Sequence, residues 1–346
     1  VYKRQVRASG VHNHPSMKGM HTLLVVLVAV CGCRGASEEP RFVASTDALT
    51  RTTFAPAMAA PLDPGCNTLW CASLALAWGE LRGLVGGEVR TAAPNATVAL
   101  LNASPIDRDD ARNAAVVARA GWIHEGVVDD LQRELRGTFG ARDPQLDQLA
   151  ASGTVAALAY ARLERALAFE KAFEDFADWG IDFGHTVDGA ERTTRVDAFG
   201  IGGYDPTEPR DRALGKQVEI LHYAADDDFI VRLVAKDATD RLLLARVRPG
   251  ATLAETFAEV HARLEAAGPE PARMHIEPDE LLAIPELDFQ LSHSFDELAG
   301  LELTNPAVVG LPLLHVLQDL RLRLDEEGLV VKSRAEVAVG AAIAIE

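Results

Sequence analysis

The sequence predicts an α+β domain, with helices mostly in the N-terminal half and largely antiparallel, twisted sheets in the C-terminal half. Three observations predict it. Apolar residues fall at helical spacing between Leu69 and Leu84 and stop at a glycine cluster. From Ile181 onward the texture changes to two-residue alternation. The last forty residues hold two alternating runs, Leu320 to Leu324 and Val331 to Val339, joined by Asp325-Glu326-Glu327-Gly328.

Each element has its own local signal. Asn67 is read as an N-cap, with Leu69, Ala72 or Ser73, Leu76 and Leu84 as the buried stripe and Gly83, Gly86 and Gly87 as the stop. Asp107 to Thr138 reads as mainly helical, with Asp129 and Asp130 close to Arg133 and Arg136. Thr154 to Tyr160 is strand-like and runs on through Leu163, Leu167, Phe169 and Phe173, with helix left open as the other reading because alanine dominates. Thr194–Phe199, Val218–Tyr223, Phe229–Val234 and Arg241–Val247 alternate as strands, with Asp226-Asp227-Asp228 as a turn. Thr252 followed by Glu255 is a capping box for a helix reaching Leu264. Leu281 to Leu291 is a strand interrupted by Pro285, so it belongs at an edge or bulge. In the final hairpin Leu320, Leu322 and Leu324 share one sheet face and Arg321 and Arg323 the other. The segment Leu329 to Ile345 is expected to be its paired return strand, not a mobile loop; the alternative reading is a loop in a sheet-inserted state, which would also be a strand.

The start of the chain speaks of location. Lys18 supplies a positive charge, Leu23 to Val30 is unbroken apolar sequence, and Gly32-Cys33 precedes an abrupt polar turn. That run is far shorter than the roughly 20 residues a membrane-spanning helix needs and fits a cleaved export signal. Val30-Cys31-Gly32-Cys33 resembles a bacterial lipobox, which makes Cys33 the lipidated first mature residue. The other reading is a soluble export signal cut near Ala36. The expected organisation is therefore a non-native leader over 1–16, an export signal over 17–32, a tether over 33–64 rich in Ala, Thr and Pro, and one domain over 65–346. The expected location is extracytoplasmic, held to the membrane by lipid in the periplasm or on the surface of a bacterium.

The chain carries 34 Lys and Arg against 51 Asp and Glu, a formal charge of −17. Lys3, Arg4, Arg7 and Lys18 precede Cys33, so the mature form is more acidic still. Such a surface repels phosphate backbones, which argues against nucleic acid as a partner. Beyond Cys31 and Cys33 of the lipobox-like run, the cysteines are Cys66 and Cys71, either bridged or two packed thiols. Ser73 lacks the flanking glycines of a nucleophile elbow. The histidines are scattered without ligand spacing. Gly200-Ile201-Gly202-Gly203 has no following lysine, and Asp226 to Asp228 lacks the later glycine and glutamate of a calcium loop. These residues indicate no catalytic centre, metal or cofactor, so the chain is read as a non-enzyme.

The order of segments resembles the serpin family. Asn67-Thr68-Leu69-Trp70-Cys71-Ala72-Ser73-Leu74-Ala75-Leu76-Ala77 is similar to the family's Asn-led buried helix. Leu158 to Leu163 and Phe169 to Phe173 resemble its central-sheet strand and the aromatic stretch beyond. Val187-Asp188-Gly189 with Arg195 to Phe199 resembles a hairpin with an Asp-Gly turn, and Ile284 to Phe289 with Leu298 and Leu301 is similar to its Pro-containing strand and the helix beyond. Leu320 to Gly328, ending in Glu326, Glu327 and Gly328, resembles the strand and hinge that lead into the reactive loop. The resemblance implies either a non-inhibitory binding or structural protein, or a serine protease inhibitor offering the bond after Lys332 or Arg334 as bait, and hence a protein partner or protease. Leu329-Val330-Val331-Lys332 stands where inhibitory members carry small residues, and this favours the first. The family also continues through two more strands, so the chain is expected to be truncated at Glu346.

Overall fold

A computed structural model describes residues 24–25, 46–63, 65–106, 115–187, 190–237, 241–267, 276–278 and 280–340. The chain opens with β1 (Leu24–Val25), α1 (Thr46–Leu49), β2 (Thr52–Phe54) and β3 (Asn67–Leu69), where β2 and β3 pair in parallel. Asn67 is therefore a strand residue and not an N-cap. Its backbone N–H donates to Arg51 O at 2.8 Å and its side-chain amide serves the Thr50 and Thr52 hydroxyls, which hold it extended.

Helix α2 (Ala72–Val85) starts after Cys71 and ends at Gly86, whose φ of 78° is the left-handed C-cap that glycine adopts without a Cβ penalty. Ser73, Leu74, Ala75, Leu76, Ala77 and Trp78 are all buried, so the first half of the helix lies inside the molecule, while Glu80 and Arg82 in its second half are half-buried. Next come α3 (Ala96–Ala103), β4 (Ala115–Trp122), α4 (Val127–Phe139) and α5 (Pro144–Ala151). Of the expected long helix over Asp107 to Thr138, residues 107–114 lie outside the described residues, 115–122 are strand and the helix is found only from Val127. Residues 115–122 are a small-residue and valine segment that pairs along its whole length with the next strand, and tertiary pairing overrides the local helical tendency of its alanines.

The remaining elements are β5 (Val155–Ala168), β6 (Glu174–Val187), β7 (Ala190–Ile201), α6 (Pro209–Gly215), β8 (Val218–Ala225), β9 (Asp228–Val234), β10 (Arg241–Arg246), α7 (Leu253–Ala267), β11 (Leu282–Pro285), β12 (Leu287–Ser294), β13 (Leu313–Asp325) and β14 (Gly328–Gly340). The capping box of α7 forms: Thr252 Oγ1 accepts from Glu255 N at 3.1 Å, and the Glu255 carboxylate accepts from Ala251 N at 2.7 Å. Pro285 ends β11, an edge strand on β7. The chain then crosses at Glu286 to begin β12 in a different sheet, so the proline sits where two sheets exchange a strand.

A five-stranded sheet of order β12-β13-β14-β5-β4, antiparallel throughout, organises the molecule. One face packs on α2 and the main core, which includes Leu320, Leu322, Leu324, Leu329, Val331, Ala335, Val337 and Val339. The other face is covered over part of its area by α4 and α5, through Leu131, Leu135 and Leu146 against Val117, Leu158 and Tyr160. A second sheet, β8-β9-β10 with β1 beside β10, is covered by α7 through Val260. The third is β11-β7-β6. Helices thus dominate the N-terminal part and sheets the C-terminal part. No helix among the described residues is long and apolar enough to cross a membrane.

Candidate functional site

The two bait candidates lie on the outer face of the central sheet, on the strand that leaves the hinge-like turn. Asp325 closes the β13–β14 turn: its Oδ1 accepts from Glu327 N at 3.0 Å and Gly328 N at 3.1 Å. The carbonyls of Glu326 and Glu327 accept from Phe173 N and Phe169 N, both at 2.9 Å, so the turn is tied down on its far side. Gly328 is required for a reason other than a left-handed turn. With φ at 158° it lies against β5, where a Cβ would stand 2.1 Å from Leu167 O.

Beyond the turn, β14 pairs on both edges, with β13 from Asp325↔Gly328 to Leu313↔Val339 and with β5 from Gly328↔Ala168 to Gly340↔Val155. The paired return strand is therefore present through Gly340, and residues 341–345 lie outside the described residues. Lys332 and Arg334 are strand residues of this central element. Lys332 Nζ lies 3.7 Å from Glu164 and remains mostly exposed. Arg334 is drawn in: its Nε donates to Asp319 Oδ2 at 2.9 Å and its Nη1 to Asp143 Oδ2 at 3.0 Å. Burial alone would lower its pKa, but the hydrogen bonds and charges of Asp143 and Asp319 outweigh that and hold it above the usual arginine range. Tyr160, fully buried on β5, donates its hydroxyl to Asp143 Oδ2 at 3.0 Å. Burial and the adjacent Asp143 charge push its pKa far up, which keeps it a donor. Glu336 shares the strand face of Lys332 and Arg334 but is buried, with His315 Nε2 at 3.0 Å from its Oε1.

The opposite face of β14 carries a buried polar knot. Ser333 Oγ is 2.7 Å from Ser73 Oγ on α2 and donates to Asp319 O, and Gln318 Nε2 donates to Ser73 Oγ at 2.9 Å. Polar groups this deep are costly unless paired, so the knot specifies how α2 and the β13–β14 hairpin meet.

Above the sheet, Arg162, Glu164, Asp319, Arg321, Lys332 and Arg334 floor an open groove of about 520 Å³, with Ser292 and Gln290 at one side and the start of α5 at the other. Helix α5 is positioned by Asp143, an N-cap that accepts from Gln145 N at 3.0 Å, and by Pro144 at its first position. Gln132 on α4 binds the Asp143 backbone in both directions, so α4, α5 and β14 are joined at one aspartate.

The solved structures that resemble this chain are serpins. They include the cleaved angiotensinogen of lamprey (TM-score 0.47, 12% identity, covering 81% of this chain and 92% of that one). The viral serpin CrmA matches with TM-score 0.44 and 10% identity over 78% of this chain and 93% of its own. Emu ovalbumin (Dromaius novaehollandiae) matches with TM-score 0.36 and 10% identity over 64% of this chain, and the chain spans just over half of it, 57%. No family model matches the chain, and no curated protein does. The likeness is one of fold alone.

Of the residues singled out from sequence, Glu326, Glu327, Gly328, Lys332 and Arg334 are brought together by the β13–β14 hairpin. Cys33 lies outside the described residues. Cys66 and Cys71 are separate thiols, the first half-buried and the second buried. The strand Asn67–Leu69 lies between them, and at roughly 3.3 Å per residue it separates them beyond the ~7 Å between Cα atoms that a bridge tolerates. Asp143, Tyr160, Arg162, Glu164 and Asp319 are not marked as site residues by any pattern along the chain. The one signal is Asp143-Pro144 ahead of Leu146 and Leu149, a helix start. No group of three or more His, Cys, Asp and Glu among the described residues could hold a metal ion.

Proposed function

We propose that this chain is an extracytoplasmic, lipid-anchored protein of serpin-like fold with a binding or structural role, and not a protease inhibitor. The observation that carries this is the state of β14: Lys332 and Arg334 sit mid-strand, hydrogen-bonded to neighbours on both edges, with Arg334 ion-paired to Asp143 and Asp319. A protease needs an extended, accessible backbone on which to act, and a central strand offers none. A loop already inserted into the sheet would pair in the same way, so the side chains that follow Gly328 weigh between the two readings. Bulky Leu329 and Val330 at the start of the strand support the same reading.

Limited trypsin digestion of the folded protein tests it. The bonds after Lys332 and Arg334 should survive while exposed arginines such as Arg133 are cut. Rapid, selective cleavage at either bond, with a protease complex that persists in denaturant, would establish the inhibitor reading in its place.

The anchor is tested separately. In bacteria fed a labelled fatty acid, Cys33→Ser should abolish incorporation and release the protein from membranes, because the acyl chains carry the attachment. Labelling that persists in Cys33→Ser but disappears in Cys31→Ser would move the anchor to Cys31.

A further inference from the structure

We propose that His315 and Glu336 form a proton-operated lock on the distal half of β14, closed while the pair holds a proton and loosened when that proton leaves. The first observation is an unbalanced charge inside the sheet. Glu336 is 3% exposed. Its Oε1 lies 3.0 Å from His315 Nε2, and its Oε2 is buried with no hydrogen-bond partner among the described residues. A buried carboxylate is costly unless it is paired, so the imidazole decides how well this one is tolerated. The His315 side chain is 27% exposed, and its ring exchanges protons with water while Glu336 is closed off.

The second observation is how the histidine reaches that face. Leu313 stands opposite Val339 and His315 opposite Ala338, so β13 advances two residues while β14 advances one. In a regular ladder Leu313 and His315 would share the core face, because side chains alternate. The bulge turns His315 onto the outer face, where Glu336 is its diagonal neighbour across the strands. Leu313 and Val316 on either side stay fully buried, so the strand keeps its apolar register around the re-aimed ring.

The third observation is that the other charged groups on this face have partners of their own. On β14, Arg334 is held by Asp143 of α5 and Asp319 of β13. On β5, Tyr160 stands opposite Glu336 but donates its hydroxyl to Asp143, and Arg162 beyond it holds Glu164. On β4, Arg119 is held by Glu134 and Asp130 of α4. Asp147 of α5 is engaged by Gln132 and Arg142. Leu317 of β13 and Ser294 of β12, next across the sheet, carry no charge. Among the described residues this leaves His315 to answer the charge of Glu336.

The direction follows from the proton count. Folded, the imidazole and the carboxylate share one proton. Unfolded, both groups are hydrated, and histidine changes its charge between roughly pH 5 and 8. Folding places the carboxylate where it needs that proton, so stability falls as pH rises and the proton passes to solvent. Glu336 then keeps its charge beside a neutral ring. The ladder ends four residues on at Gly340, so β14 loosens from that end.

Hydrogen exchange of the whole chain at about pH 5.5 and about pH 8.5 tests the lock. Rates are corrected for the intrinsic pH dependence of exchange. Protection at the Val337 and Ala338 amides should then fall at least about tenfold further in the unmodified protein than in H315Q or E336Q, as one linked proton allows. H315Q keeps a donor for Glu336 without the charge, whereas E336Q removes the buried charge and keeps its shape. The two variants therefore reach the same loss of pH dependence from opposite sides, and E336Q carries the test if H315Q does not fold. H222Q removes another histidine that meets a carboxylate, Asp228 at 3.2 Å, and should respond to pH as the unmodified protein does. An equal fall in the unmodified protein and E336Q overturns the proposal. So does a fall that vanishes in H222Q, or a protection that rises with pH in the unmodified protein relative to the two variants.

Discussion

Replacing Arg334 by methionine is expected to destabilise the protein by about 3 to 5 kcal/mol, the range for stranding one partner of a buried ion pair. Asp143 would be left in the interior with only the Tyr160 hydroxyl and the α5 amide as partners, and Asp319 would lose its main cation. The substituted chain keeps the volume of the arginine stem, so packing changes little and charge accounts for the effect. A urea midpoint measurement reads it directly. Adding Asp143→Asn to Arg334→Met should recover part of the loss, because the neutral amide still caps α5 and no longer needs a cation. Lys332→Met, two residues away on the same face but exposed, should change stability by less than about 0.5 kcal/mol. Equal losses for the two positions would mean that the Arg334 ion pairs do not hold the α4–α5 pair to the sheet.

Gly328→Val is expected to cost about 3 kcal/mol or more, since overpacking against unyielding backbone lies at the upper end of such substitutions. The added Cβ would stand 2.1 Å from Leu167 O, and main chain in the middle of a sheet cannot move aside as a flexible side chain does. Gly340, at the other end of the same seam, presents its missing Cβ 2.1 Å from Thr154 O. The β5–β14 ladder is thus framed by two glycines that allow the backbones to approach. In Gly328→Val, hydrogen exchange should rise first at the amides of Phe169 and Phe173, which donate to the turn carbonyls of Glu327 and Glu326. Uniform exchange across the whole sheet, with no excess at those amides, would show that the glycine does not act locally.

Much of the fold is legible because it is written in short-range pattern. The strict alternation of Leu320, Leu322 and Leu324 against Arg321 and Arg323 is a two-faced strand and nothing else, and the structure places the leucines in the core. Thr252 and Glu255 carry their cap in four residues. Gly86 ends α2 within the glycine cluster that marks its stop. Asn67 and residues 115–122 mislead for the opposite reason. An asparagine before apolar sequence looks like a cap until a parallel partner strand supplies a better use for its amide, and an alanine-rich run looks helical until a neighbouring strand takes its hydrogen bonds.

Sequence alone determined the α+β class, the closing hairpin with its turn, the faces of β13, and the acidic balance of the chain. Only the tertiary structure decided that β14 has partners on both edges, that Arg334 reaches Asp143 across 191 positions of sequence, and that Glu336 is buried on a face whose neighbouring Lys332 meets water. The physical reason is range. Periodicity and capping act over a few residues and leave their mark in order. The pairing of strands and the meeting of charges depend on which distant segments the chain brings alongside, and a pattern along one strand says nothing of what will lie across from it.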